Sequence, residues 1–289
     1  MVGSEKIFVM KQYQLGLLLL MPAFIMVLAL FLFPLGISLH AAFTDPAGGL
    51  TLAHFAKAQS LYSSDMIFTL FITITSSFIV GILSLSLAGL MALSENRFLV
   101  ASLKFLYRWP LFIPFIVAAQ CMRTFLAKNG LMNNSLVASG LLDPNSAMSF
   151  LDWRGIIITF VWKQTPFVTL MLAGAVSALD RSMIEAARNL GASRLRAMIE
   201  IIIPQIMPTL MVGLILSFVT MMSVLSVPLM VAGSQPTLLT VDMAFRINSY
   251  GDYPTANALG VISYLMTSLV AWFYLRQQMR DVAHHPVTP

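Results

Sequence analysis

Charge is scarce in this chain. Only 10% of its 289 residues are Asp, Glu, Lys or Arg, against 58% apolar, where a soluble domain is roughly a quarter charged. The single cysteine, Cys121, excludes an intrachain disulfide, has no metal-ligand spacing around it and reads as packing. No His/Cys cluster or nucleophile–base spacing lies near a membrane edge, and the adjacent His284 and His285 read as polar tail residues; this argues against a membrane enzyme and gives no metal site. No G-x-x-x-x-G-K-[ST] run occurs, so the chain has no phosphate-cradling loop of its own. Collagen-like, Gln-rich and acidic tracts are missing. So are an internal repeat and a soluble domain, which leaves one membrane domain over 1–289. A self-sufficient secondary transporter would need inverted repeats and broken helices at matching positions, and neither is visible.

What is present is long apolar blocks, the pattern of an all-α membrane protein. Six spans are expected, near residues 15–39, 66–93, 111–126, 155–179, 210–232 and 255–275. Pro22 and Pro34 interrupt the first, which is too long for a signal-peptide h-region and is expected to be retained. Pro110 and Pro114 mark the entry to the third. Residues 41–65, 127–154 and 233–254 are expected as polar connections, with a turn signal at Asn129-Gly130. The net charge of +5 and a pI near 9.5 sit in loops beside the spans, so membrane topology explains them better than nucleic acid. One side collects Lys6, Lys11, Arg97, Lys104, Arg108, Arg181, Arg188, Arg194, Arg196, Arg276 and Arg280; the other has Lys57, Arg123, Lys128, Arg154 and Arg246. The positive-inside rule puts the first group, and both termini, in the cytoplasm.

The longest interval of regularly spaced charges, Asp180 to Pro208, separates the fourth and fifth spans. It reads as two short helices with a sharp turn, a hairpin over 180–204. Ser182 with Glu185 forms an S-x-x-E capping box. Met183, Ala187 and Leu190 share one face; Arg181, Glu185 and Arg188 share another. Gly191 falls where a left-handed residue would stop the first helix, and Ser193 caps the second. There Leu195, Met198, Ile199 and Ile202 lie on one side, and Arg196 pairs with Glu200 at i,i+4. Pro204 and Pro208 punctuate the entry to the fifth span. Such a hairpin could merely connect two spans. Its exposed charges and apolar ridge equally fit docking to a soluble partner.

The run Glu185-Ala186-Ala187, three residues, Gly191, nine residues, Ile201, one residue, Ile203-Pro204 resembles the EAA loop of binding-protein-dependent ABC importer permeases, pattern E-A-A-x3-G-x9-I-x-L-P. It departs only in Ile203 for leucine, and the resemblance runs from about residue 66 to the end of the sixth span. It implies a cytoplasmic coupling hairpin in a groove of a separate ATPase subunit, with Glu185, Ala186, Ala187, Arg188, Gly191 and Pro204 at that interface. It also implies two ATPase subunits that carry ATP and Mg (no cofactor in this chain), and a second permease subunit, a sister chain or another copy. An extracytoplasmic solute-binding protein would deliver solute, and the location is the bacterial or archaeal inner membrane.

Within the fourth span Trp162-Lys163-Gln164-Thr165-Pro166-Phe167 carries an ionisable residue, a functional candidate by default. Lys163 could instead snorkel outward. The stretch also resembles sugar-importer permeases, which carry a W-K-x-x-P-F run before the EAA loop. With Gly233, Ser234 and Gln235 it favours a carbohydrate, while E-A-A-R-N-L-G-A-S is similar to permeases for polyamines, ferric iron and related solutes. Ser217, Thr220, Ser223 and Ser226, spaced by three, are candidates for the solute path or for helix–helix hydrogen bonding. Gln120, Arg123, Asn248, Tyr250 and Asp252 are weaker candidates.

Overall fold

The computed structural model describes residues 18–94, 96–232 and 236–284. Lys6, Lys11, Glu95, Gly233, Ser234, Gln235 and His285 lie outside the described residues, as do the side chains of Arg181, Arg188, Arg280 and His284. In chain order the helices are α1 (Leu18–Phe43), α2 (Ala53–Leu93), α3 (Arg97–Leu106), α4 (Phe115–Leu126), α5 (Leu131–Ala138), α6 (Trp153–Ser177), α7 (Arg181–Asn189), α8 (Arg194–Ser223), α9 (Ser226–Val231), α10 (Leu239–Tyr250) and α11 (Tyr253–His284). No strand occurs among the described residues, which show one isolated bridge between Thr44 and Leu50.

Five helices are long and apolar enough to cross a bilayer: α1, α2, α6, α8 and the Tyr253–Phe273 part of α11. Around the sixth crossing, expected near 111–126, Arg97–Phe112 and Phe115–Ala138 meet at a 108° bend, the shape of a broken span or of a re-entrant loop. The cause is local. Pro110 sits in a 3₁₀ turn, Trp109–Phe112, and Ile113 takes the extended backbone that a residue before proline prefers.

Three expected boundaries move. α2 begins at Ala53, not 66, because the polar residues 53–65 continue the helix and the Thr51 hydroxyl accepts the Ala53 N–H at 3.1 Å. The connection near 233–254 contains α10. The fifth span starts at Arg194 and ends at Ser223, so Pro204 and Pro208 lie inside it and Ser226 opens the next short helix. A π turn at Met198–Ile202 makes this continuity workable, with the Ile203 N–H donating to the Met198 carbonyl. A proline lacks its N–H and presses on the carbonyl four residues back; a wider turn just before Pro204 moves that carbonyl aside. α1 uses the same device at Leu28–Leu32, closing on Phe33 ahead of Pro34, so Pro34 does not interrupt that span.

The chain divides into two compact units. One holds residues up to Leu61 with Phe245–Val261; the other holds Tyr62–Ala244 and the residues from Ile262 on. In the larger unit two apolar clusters hold the helices. One joins Ile72, Ala119, Ile156, Phe160, Met221 and Val227, and the other Val80, Ala88, Leu172, Ile202, Ile206 and Leu210. Beside Ile72 and Val80, which enter these clusters, α2 buries a stripe of small or polar residues, Asp65, Thr69, Thr73, Ser77, Ser84 and Ala88, at spacings of four or seven. Small residues let helix backbones approach, which is what drives packing where lipid is as apolar as leucine. Thr69 and Thr73 return their hydroxyls to carbonyls one turn back, both at 2.7 Å, and the Ser84 hydroxyl reaches the Thr165 carbonyl on α6.

In the smaller unit Asp252 begins α11. It accepts from Lys57 Nζ at 2.6 Å and from Arg246 at 3.4 Å, and the Thr255 N–H reaches it at 3.3 Å. Burial pushes its carboxyl up, but Lys57 and Thr255 outweigh that and hold it below the usual carboxylate range.

Candidate functional site

The hairpin forms as expected, with one change of cap. Asp180, not Ser182, starts α7: its carboxylate accepts the Ser182 N–H at 2.9 Å, which places Ser182 inside the first turn. An ionised cap also meets the positive end of the helix dipole better than a hydroxyl, and the Ser182 hydrogen bonds hold the Asp180 carboxyl below its usual range. Gly191 has φ +84°, and the Ala192 N–H returns to the Ala187 carbonyl at 3.0 Å, the closure of a Schellman turn. A Cβ on Gly191 would meet nothing within 4 Å, so backbone torsion alone demands glycine. The Ser193 hydroxyl caps the second helix by accepting the Arg196 N–H, and Arg196 pairs with Glu200 at 2.9 Å.

The faces come out differently from simple periodicity. Ile202 is buried, while Leu195 is 68% and Leu190 90% exposed; Met183 and Ile199 are also open. The π turn inserts an extra residue and rotates Ile202 away from Leu195 and Ile199. Glu185 and Ala186 are exposed and Ala187 half-buried. Glu185 borders a hollow of about 400 Å³ with Lys104, Ser94 and Ile184. The hairpin meets the spans chiefly through apolar contacts, with one weak hydrogen bond from Gln205 Nε2 to the Met183 sulfur at 3.9 Å. Ile184 packs on the Ile202–Leu210 cluster, and Met198 lies so close to Gly89 of α2 that a Cβ there would fall 2.1 Å from its sulfur.

Lys163 does not snorkel outward. It is only 7% exposed. Its ammonium donates to the Pro110 carbonyl and, at 3.4 Å, to that of Leu111, with the Phe115 ring 5.3 Å away. These carbonyls belong to the turn at the bend, where that of Pro110 also accepts the Ile113 N–H at 3.3 Å, so the lysine ties α6 to that turn. Gln164 is buried and donates to the Ser217 carbonyl at 3.4 Å. Ser217 is fully buried, Thr220 half-buried and Ser223 exposed. Three-residue steps rotate each hydroxyl by about 60° on a helix, so these three do not share a face. Thr220 and Ser223 return their hydroxyls to α8 carbonyls. Gln120 and Arg123 lie exposed on α4. Asn248 and Tyr250 are exposed near the end of α10.

Two buried carboxylates escaped the sequence reading. Asp65 and Asp242 are each 4% exposed. Asp65 accepts the Thr237 N–H at 2.8 Å, and Asp242 accepts the Thr237 hydroxyl at 3.0 Å. The available signal for Asp65 was its place one turn ahead of Thr69 and Thr73 on the polar stripe of α2.

Residues 49–280 match the family described as "Binding-protein-dependent transport system inner membrane component". The trehalose/maltose transport permease MalF of Thermococcus litoralis is 26% identical over 92% of this chain and 94% of its own length. The sulfoquinovosyl glycerol transport permease SmoG of Agrobacterium fabrum is 28% identical over 66% of this chain and 67% of its own. The spermidine/putrescine permease PotB of Escherichia coli is 28% identical over 57% and 62%. Among solved structures, a bacterial alginate ABC transporter in complex with a pentasaccharide-bound periplasmic protein has a chain superposing with a TM-score of 0.80 at 21% identity, covering 94% of this chain and 96% of that one. With a family match over most of its length and an all-helical fold shared with these transporters, the chain belongs to the inner-membrane permease subunits of binding-protein-dependent ABC importers, which are not themselves catalytic.

Proposed function

We propose that this permease carries a carbohydrate, and that the 180–204 hairpin couples it to a separate ATPase. The observation that carries the coupling role is the exposed, glycine-turned hairpin with Glu185, Ala186, Leu190 and Leu195 on its open surface. Glu185, Ala186, Ala187, Arg188 and Gly191 form the docking surface, and Pro204 marks its junction with the fifth span. The whole chain works as one permease domain, with the hairpin and both termini cytoplasmic by the Lys/Arg asymmetry. Two ATPase subunits hold ATP and Mg, a second permease completes the path, and an extracytoplasmic solute-binding protein delivers the solute. Lys163 braces the bend before α4 and Gln164 ties the fourth span to the fifth from inside the bundle, and Ser217, Thr220 and Ser223 line different faces of the fifth span beside the path.

A carbohydrate is favoured over a polyamine or ferric iron by the W-K-x-x-P-F run of the fourth span and by the likenesses to MalF and SmoG; the alignment covers 94% of MalF's own length against 62% of PotB's. The test is uptake into proteoliposomes that hold the complete transporter with its binding protein. Trehalose, maltose and sulfoquinovosyl glycerol are offered beside spermidine and putrescine. Sugar-dependent uptake and ATP hydrolysis are expected; stimulation by the polyamines alone would overturn the substrate class.

A further inference from the structure

α10 lies in the connection between the fifth and sixth spans, and the first N–H groups of any helix lack partners within it. The Val241 N–H closes on the Leu238 carbonyl at 2.8 Å, while α2 supplies the partners of Leu239, the first residue of α10, and of Thr237 just ahead of it. Asp65 accepts the Thr237 N–H at 2.8 Å, and the Thr69 hydroxyl oxygen accepts the Leu239 N–H at 3.1 Å. Thr69 donates its own hydroxyl proton to the Asp65 carbonyl at 2.7 Å, which leaves its oxygen lone pairs turned to Leu239. Asp242, in the first turn of α10, takes the Thr237 hydroxyl. Asp65, Thr69, Leu238, Leu239 and Asp242 are all buried. A buried carboxylate is costly unless its lone pairs are met. Asp65 meets this need at the positive end of a helix, where a negative charge is most useful.

We infer that Asp65 and Thr69 are positioning residues that cap α10 from the second span, so that the connection between the fifth and sixth spans moves with α2. The same helix touches Met198 of the hairpin at Gly89, and the 24 residues from Asp65 to Gly89 span about 36 Å of helix. On the proposed permease reading, on which this inference rests, α2 then joins the side that receives the binding protein to the element that meets the ATPase. Its function is to make ATP turnover respond to the docked binding protein.

The test uses the complete transporter in nanodiscs, with Asp65→Ala, Asp65→Asn and Thr69→Val. Amide hydrogen exchange over residues 237–244 reads the clamp, and the ratio of ATPase turnover with and without binding protein reads its use. Asp65→Ala should speed exchange about tenfold there and bring the ratio close to one, with basal turnover kept. Asp65→Asn, whose amide oxygen still accepts from Thr237, should restore most of both. Thr69→Val removes one acceptor and should give an intermediate effect, and it decides the matter if Asp65→Ala fails to assemble. Unchanged exchange overturns the clamp. Faster exchange with the full ratio retained overturns its role in coupling. A wild-type transporter that never responds to binding protein counts against the permease reading instead, and the exchange result still judges the clamp.

Discussion

The hairpin and the start of α10 are both short helical pieces attached to long spans, yet they are held by opposite means. The hairpin is shaped from within: Asp180 caps α7, Gly191 turns the chain, and Ser193 caps the second helix. Its contacts with the spans are chiefly apolar, through Ile184 and Met198, with one weak hydrogen bond from Gln205 to the Met183 sulfur. The start of α10 is also held from outside: the Asp65 carboxylate takes the Thr237 N–H just ahead of it and the Thr69 hydroxyl takes the Leu239 N–H of its first turn. Apolar contacts are non-directional and tolerate small rotations, whereas hydrogen bonds to a buried carboxylate fix one geometry. The first arm of the hairpin is therefore seated by contacts that tolerate small rotations, its second arm runs on into the fifth span as part of α8, and the α10 end is fixed by directional hydrogen bonds.

The largest effect expected from breaking this contrast is at Gly191. Gly191→Val forces a β-branched residue to positive φ, at a cost of about 1–3 kcal/mol, and should abolish transport while the protein still inserts in the membrane. Gly191→Asn, which tolerates the left-handed region, should keep most transport; equal loss in both variants would show that space, not torsion, is critical there. Next is the exposed ridge. Leu190→Asp leaves the fold intact, because the side chain is already in solvent, but should weaken ATPase association by about tenfold or more, measured by co-purification.

A smaller effect is expected in the other unit, at Asp252. Its carboxyl is held low, so the stability it contributes is present above the unfolded value near 3.9 and disappears as pH falls through the lower folded value. Asp252→Asn should therefore cost about 1 kcal/mol at pH 7 and progressively less as the pH falls below the unfolded value near 3.9, read as thermal midpoints in detergent. The smallest is at the start of α6, where Asp152 caps the Arg154 N–H at 2.8 Å and Arg154 holds its carboxyl low. Asp152→Ala should cost about 1 kcal/mol and leave coupling unchanged.

The pieces legible in the sequence were those whose chemistry is local. Gly191, Ser193 and the Arg196–Glu200 pair depend on neighbours within four residues, and each forms as expected. Even there the cap fell on Asp180 instead of Ser182, since two good capping residues stand two positions apart and only the final backbone selects one. What stayed hidden depends on distant partners. Thr237 is 172 residues from Asp65, and the carbonyls that Lys163 meets are 53 and 52 residues away; no periodicity records such pairs. The π turns before Pro34 and Pro204 were hidden for another reason. Proline reads as a breaker, and the compensation lies in the backbone of the turn ahead of it.

The central claim is that the open surface of the hairpin faces the ATPase. A single cysteine at Ala186, in a chain whose native cysteine is removed by Cys121→Ser, tests it in membranes containing the assembled transporter. Oxidation or a short bifunctional thiol reagent, applied with cysteines scanned across the ATPase, should yield a crosslinked permease–ATPase band that changes in yield when nucleotide binds. An intact, hydrolysing complex in which Ala186→Cys never crosslinks to the ATPase, in any nucleotide state, would contradict the account.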